Sequence, residues 1–200
     1  MASRSLTSFR QAKGRSERLL AISTDRRLRP INYADAEPSL HAALASTVSA
    51  WEAYIEAVTI EAIDVVAAGA SAEVLLLTTL IRAEAKRAIE KFNTPNAENC
   101  RDLLLKYTGF DSFPHMQSAR LSLAAHLARA RLNEILQVRH AFAHGYRIPA
   151  YAWTTRYGIQ NRLTKRAVAD AAILIDDFVS VVDLELGRHV KTAFPTRTVW

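Results

Sequence analysis

An all-α bundle of about five to six helices, packed roughly antiparallel, is the fold class that the sequence predicts. Three observations carry it. Apolar residues recur at steps of three, four or seven through most of the chain, and no stretch alternates apolar with polar residues as a half-buried strand does. The 6 Gly and 6 Pro punctuate the periodic stretches instead of interrupting them. With 200 residues, half of them hydrophobic and 23% charged, the chain is long enough to bury a core without disulfides or a structural metal. The single Cys100 builds no disulfide framework and no Cys-rich zinc site, so a reducing, cytoplasmic setting and no cofactor are expected.

Each element follows from its punctuation. Gly69, Gly109, Gly145 and Gly187 each follow an apolar-periodic stretch, where a helix end favours a left-handed residue, while Pro38 and Pro95 precede such stretches. The first helix, Thr7 to Ile22 with a break allowed at Gly14, belongs to a basic N-terminal arm or helix over residues 1–35, ahead of the bundle over 36–200. An Arg/Ser-rich start of this kind reads as a solvated basic helix or an organellar transit peptide; it lacks the apolar region of a secretory signal. A long helix from Pro38 to Ala68 carries Leu44, Val48, Trp51, Ile55, Val58 and Val65 on one stripe. The next, Ser71 to Phe92, is expected to turn Leu77, Leu80, Ile81, Ala85, Ala88 and Ile89 inward. Its run Val74 to Ile81 is the most apolar in the chain and falls far short of the ~18 residues of a membrane span, so no membrane partner is expected. After the Asn93-Thr94-Pro95-Asn96 turn comes a short helix, Ala97 to Tyr107. A long one follows from about Gln117 to Phe142, with Leu121, Ala124, Leu132, Ile135 and Phe142 inward. The segment Tyr146 to Asn161 has no helical period and reads as a surface loop. The last helix, Leu163 to about Val190, aligns Val168, Ala171, Ile175, Phe178, Val182 and Leu186.

The net charge of +6 conceals four blocks. Residues 1–29 hold 8 Lys/Arg against 2 acids, 30–117 hold 6 against 12, 118–166 hold 9 against 1, and 167–200 hold 3 against 5. The third block sets nine cations against Glu134 alone, which predicts a surface for a polyanion unless the acidic blocks neutralise it inside the fold.

Within that block the polar residues are unusually placed. Positions 128, 132, 135, 139 and 142 share a helical face on which Ala128, Leu132, Ile135 and Phe142 are apolar and Arg139 is not. A charge on an apolar face needs a carboxylate, a phosphate or a subunit interface. Beside it Asn133, Gln137, His140 and His144 form a second stripe of uncharged hydrogen-bonding groups, and the helix ends in an arginine and two imidazoles.

Arg139-His140-Ala141-Phe142-Ala143-His144 resembles the R-x4-6-H signature of the HEPN superfamily, in which the residue after the arginine is commonly polar, as His140 is, and the histidine sits in a context like His144-Gly145-Tyr146. The upstream Ser49-Ala50-Trp51-Glu52-Ala53-Tyr54, with Asn93 to Asp111, resembles the RiboL-PSP type of HEPN domain, and the likeness spans roughly Ala36 to Val190. The resemblance implies a helical bundle, a metal-independent endoribonuclease in a toxin-antitoxin or defence setting, a partner protein that restrains it, and a homodimer with both motifs at the interface.

The chemistry agrees with the resemblance. RNA cleavage without metal uses the 2′-OH as nucleophile and needs a base, an acid and a cation for charge developing on the phosphoryl oxygens. Histidine exchanges protons near neutrality, and arginine grips two phosphate oxygens while staying charged. His144 is therefore expected as general base or acid and Arg139 as the clamp, with His140, Tyr146, Arg147, Gln137 and Asn133 binding substrate and Glu52 supporting Arg139. On a regular helix Arg139 and His144 would point about 140° apart, so they converge only if the helix ends between them or a two-fold partner supplies a second copy. Two alternatives remain at this point: a HEPN-like module that binds RNA or protein without cutting, and a metal site on His140 and His144, for which no third ligand lies at a motif spacing. His41, His115, His126 and His189 read as ordinary surface or core histidines.

Overall fold

The computed structural model of the protein describes residues 2–23, 33–92 and 95–200; residues 24–32 of the basic N-terminal stretch and Asn93 and Thr94 of the predicted turn lie outside them. Helix α1 (Arg4–Ile22) is opened by Ser3, whose hydroxyl accepts the Leu6 N–H at 2.8 Å. Across the bundle, Glu61 accepts the N–H groups of Arg4 and Ser5, each at 2.9 Å, and the Ser5 hydroxyl at 2.6 Å. A carboxylate there meets unpaired donors and the positive end of the helix dipole together. α1 runs unbroken through Gly14 and adds Leu6 and Phe9 to the common core.

The axis of the bundle is α2 (Tyr33–Ala67), 35 residues long and roughly 52 Å by its rise per residue. It begins before Pro38, which sits inside it and forfeits one backbone hydrogen bond near the start of the helix. Leu44, Val48, Trp51, Ile55 and Val58 are fully buried as expected, and Val65 is half-buried. Around α2 pack α1, α3 (Ala72–Ile89), α4 (Ala97–Thr108), α5 (Ala125–Ala143) and α6 (Lys165–Ala193). All six residues of the predicted α6 stripe are buried. The all-α bundle is therefore observed, with six α-helices among the described residues.

Four local expectations are corrected. First, Leu77, Leu80 and Ile81 of α3 are exposed, while Thr78 and Ala85 are buried and Ala88 and Ile89 half-buried. The face turned to α2 is instead that of positions 78, 82, 85 and 89, where Ala85 is fully buried and Arg82 Nε donates to Asp64 Oδ1 of α2 at 2.7 Å. Burying Thr78 costs little because its hydroxyl donates to the Val74 carbonyl at 2.9 Å. Second, α5 starts at Ala125 instead of Gln117: Ser118 and Leu123 exchange two backbone hydrogen bonds, the Ser118 hydroxyl donates to Asp177, and Arg120 is drawn to Asp176 and Asp177. Leu121 therefore sits in a turn and Ala124 is the exposed residue that precedes α5, and Phe142, expected inward, is exposed on one side of its ring. Third, the predicted surface loop contains an antiparallel hairpin, β1 (Thr155–Tyr157) with β2 (Gln160–Arg162), turning at Gly158 with φ +63°. Strands of three residues are too short to show alternation. Fourth, Gly187 ends no helix; it lies within α6, where a Cβ would come within 3.1 Å of Trp200 Nε1.

Burial raises the Glu61 pKa, but the hydrogen bonds from Ser5 and Arg4 more than offset this and hold it below the ordinary glutamate value. A lowered folded-state pKa contributes stability above the unfolded value that is lost as pH falls through the folded one. Glu61→Gln is therefore expected to cost about 1–2 kcal/mol at pH 7. Denaturant titrations at stepped pH should show the gap between variant and parent narrowing below about pH 4.5.

Candidate active site at the end of α5

The last turn of α5 closes on a left-handed glycine. Gly145 has φ +69°, its N–H reaches the Phe142 carbonyl at 3.1 Å, and the Tyr146 N–H reaches back to the Ala141 carbonyl at 2.7 Å. This is the Schellman arrangement, with His144 as the capping residue. It ends the helical path just after the motif and folds Tyr146 over the two histidines. The His140 and His144 rings lie 4.2 Å apart between centroids, and the Tyr146 ring is 5.8 Å from His144 and 6.3 Å from His140. All three side chains are exposed.

Arg139 leaves the helix on the other side, toward α2. It is half-buried, and its charge acts on Glu52: burial pushes the Glu52 carboxyl above its ordinary value and Arg139 pulls it back. The neighbouring Glu56 is raised by burial and then by the Glu52 charge. Glu52 thus lies within range of the Arg139 charge, but the two side chains form no ion pair or hydrogen bond. The end of α5 is further held to α2 by His41, whose ring stacks on Phe142 at 3.9 Å with the planes 3° apart. Burial lowers the His41 pKa to about 4, so the ring is neutral at pH 7 and the 3.7 Å approach of Glu37 is a contact with a neutral imidazole, not an ion pair.

Asn133, Gln137, His140, Tyr146 and Arg147 line one cleft of about 610 Å³, together with Asn96, Leu136, Ala141 and Pro149. Their polar groups are engaged to different degrees. Asn133 accepts the Ala97 N–H and donates to Glu98, both at 3.0 Å, and so caps the first turn of α4. Gln137 accepts the Tyr151 hydroxyl. Arg147 is exposed at the mouth and makes no ion pair with a described residue. Arg139 and His144 flank this cleft without lining it. The structure therefore gathers His140, His144 and Tyr146, with Asn133, Gln137 and Arg147, expected to bind substrate, along the neighbouring cleft, and holds Arg139 on the Glu52 side.

The basic block narrows likewise. Arg120 pairs with Asp176 and Asp177, Arg131 with Glu134, and Arg166 with Asp170, while Arg129 donates to the Phe113 carbonyl and lies over its ring. Part of the block is neutralised internally. Arg147, Arg156 and Arg162 remain on the side of the cleft and the hairpin, Arg162 stacked 4.2 Å from the Tyr157 ring.

An arginine-and-histidine motif closing a helix of a six-helix bundle agrees with a comparison of the whole chain: the RiboL-PSP-HEPN family matches residues 15–187. The chain belongs to this family. Neither a curated protein nor a solved structure matches it. The match begins inside α1, upstream of the Ala36 at which the motif resemblance begins, and ends at Gly187 in α6. Among the described residues no helix of this HEPN domain is long and apolar enough to cross a membrane.

Two features of the site escaped the sequence. Asn96 joins the cleft only because Asn133 caps α4, a contact 36 residues apart. His41 meets Phe142 across two helices, and no local pattern marks it.

The turn at Gly145 sets the ring cluster, and a Cβ there would touch nothing within 4 Å. Gly145→Ala is therefore expected to cost about 1 kcal/mol through its positive φ alone. Denaturant unfolding measures that cost, and ring-proton NMR should show the His140 and His144 signals shifting together as the turn reopens.

Proposed function

We propose that this HEPN domain is a metal-independent endoribonuclease that cleaves RNA through its own 2′-OH, in a toxin or defence role and under the control of a restraining partner protein. The observation that supports it most is the end of α5: two imidazoles in contact beside a polar cleft, with an arginine one turn away. In-line attack forms the 2′-oxygen–phosphorus bond and breaks the bond to the 5′-oxygen, leaving a 2′,3′-cyclic phosphate. One proton leaves the 2′-OH and one reaches the 5′-oxygen. His144, exposed at the helix cap, takes one of these steps, and His140 at 4.2 Å is placed to orient the nucleotide or exchange a proton with it. Arg139 serves charge that appears on the phosphoryl oxygens in the transition state, with the Glu52 carboxyl within range of its charge. Tyr146 offers a stacking face, and Arg147 leads the strand toward the hairpin.

A binding module without catalysis is the second reading. It is favoured by one observation, that the cleft is lined by His140 and not by Arg139 or His144. Labelled RNA incubated with the protein in EDTA separates the two: cyclic-phosphate ends are expected, whereas RNA bound but intact would leave a binding module. His144→Ala and Arg139→Ala are each expected to lower cleavage by about 10² or more with an unchanged melting curve.

Binding should follow the cations on the side of the cleft and the hairpin. Each phosphate contact is expected to add about 0.9 to the log–log salt slope on duplex RNA or about 0.7 on a single strand. Neutralising Arg147, Arg156 and Arg162 together should flatten that slope by roughly two units, measured by fluorescence anisotropy across a salt series. Arg139→Ala, in contrast, should reduce turnover far more than affinity.

A further inference from the structure

The two imidazoles at the end of α5 have a second chemistry besides proton transfer. His140 and His144 stand four residues apart, so their side chains leave the same side of the helix. The turn at Gly145 stops the chain just beyond them, and their ring centroids are 4.2 Å apart with the planes at 46°. Tyr146 flanks the pair, its ring 5.8 Å from that of His144. Both imidazoles are exposed, and neither ring makes a hydrogen bond or an ion pair with a described residue, so the lone pair of each neutral ring is unclaimed.

Neutral imidazole is the commonest side-chain ligand of divalent transition metals. Zinc binds such nitrogens at about 2.0–2.1 Å, so two of them on one tetrahedral ion lie roughly 3.4 Å apart. That separation is within reach of rings whose centroids are 4.2 Å apart. Spacing along the helix shows only that two histidines share a side; the contact between the rings supplies the convergence that chelation needs. Among the described residues no third His, Cys, Asp or Glu joins the pair. Two protein ligands are fewer than the four of a structural zinc or the three of a catalytic one. Water fills the remaining positions, and an ion held by two imidazoles exchanges with the medium, as a regulator does and a resident cofactor does not.

We propose that His140 and His144 form a reversible site for a divalent transition metal, zinc or copper above all, and that the bound ion inhibits the nuclease. Coordination occupies the lone pair with which an imidazole accepts a proton, so one ion disables both proton carriers. It also adds a double positive charge beside the cleft lined by Asn133, Gln137 and Arg147, where it attracts a phosphate backbone. The signature is therefore RNA held without being cut. Ligand chemistry selects the ion: nitrogen ligands rank copper(II) above zinc and nickel above cobalt, whereas magnesium and calcium need oxygen ligands that this pair lacks. The inhibitory role rests on the nuclease reading; the metal site does not.

The full chain, freed of metal with EDTA and dialysed, is titrated with zinc, copper(II), nickel or magnesium chloride. Calorimetry should show one zinc ion per chain, tighter binding of copper(II) and none of magnesium. Substoichiometric nickel, being paramagnetic, should broaden the ring-proton NMR signals of His140 and His144 and leave those of His126 and His189 sharp. His140→Ala and His144→Ala should each weaken zinc binding at least tenfold with an unchanged melting curve; His126→Ala, at an exposed histidine of the same helix, should not. The buried Cys100 thiol offers no competing ligand. In the cleavage assay, zinc at tens of micromolar should lower the rate at least tenfold, EDTA should restore it, and fluorescence anisotropy should show the RNA still bound. Absence of zinc binding, or binding that survives both alanine substitutions, overturns the site, and undiminished cleavage with zinc bound overturns the inhibitory role. RNA that stays intact without metal ends the nuclease reading and the inhibitory role with it, while the titrations still decide the site.

Discussion

Burying the indole of Trp51 obliges its N–H to find an acceptor inside the core, and the acceptor it takes organises the functional end of the bundle. Trp51 is fully buried at the middle of α2, with Tyr54 and Phe178 rings about it, and donates to the Pro95 carbonyl at 3.0 Å. The same carbonyl receives the Cys100 thiol at 3.2 Å, and burial pushes that thiol well above its ordinary pKa, far from reactive. Pro95 therefore fixes where α4 begins. One residue further, Asn96 caps α4 on the N–H of Asn99, and Asn133 reaches over from α5 to take the Ala97 N–H. The position of α5 along the bundle is thus referred back to a single tryptophan.

From that anchor the end of α5 is determined by short-range rules. Its last carbonyls need N–H donors, a left-handed residue turns the chain back to supply them, and glycine is the residue that adopts that conformation without strain. The turn delivers two imidazoles and a phenol to solvent on one side while the arginine of the motif stays against α2. This separation suits the roles proposed for these residues: groups that exchange protons need water or substrate, and a group that only carries charge benefits from a half-buried setting.

Polar groups buried away from the site serve the ends of the other helices. Asp183, in the middle of α6, accepts the Ser3 N–H at 3.3 Å, the Ser3 hydroxyl and the Tyr54 hydroxyl at 3.4 Å. Burial raises its pKa, opposed by those hydrogen bonds, so its ionisation costs stability as pH rises through that value. Glu61 acts in the opposite sense at the same helix start. The first residues of α1 are therefore tied to both α2 and α6, and the basic N-terminal helix joins the packing of the bundle.

The sequence alone determined the helical class, the order of the helices and the motif with its two histidines, because 3.6-residue periodicity and glycine caps are local and survive without tertiary contacts. The stripe of α6 and the core of α2 were legible for the same reason, each being apolar enough on one side that only one rotation buries it. Tertiary structure decided what local pattern leaves open. On α3 apolar residues occupy more of the circumference than one bundle face covers, so which of them goes inside depends on what α2 presents to the helix, Asp64 to Arg82 included. Between Ser118 and Leu123 two acids from α6 pulled an otherwise helical stretch into a turn. Arg139 was recognisable as a charge on an apolar face and Glu52 as a candidate partner, but how near the two come depends on α2 and α5 lying side by side, a fact that no spacing along one helix encodes.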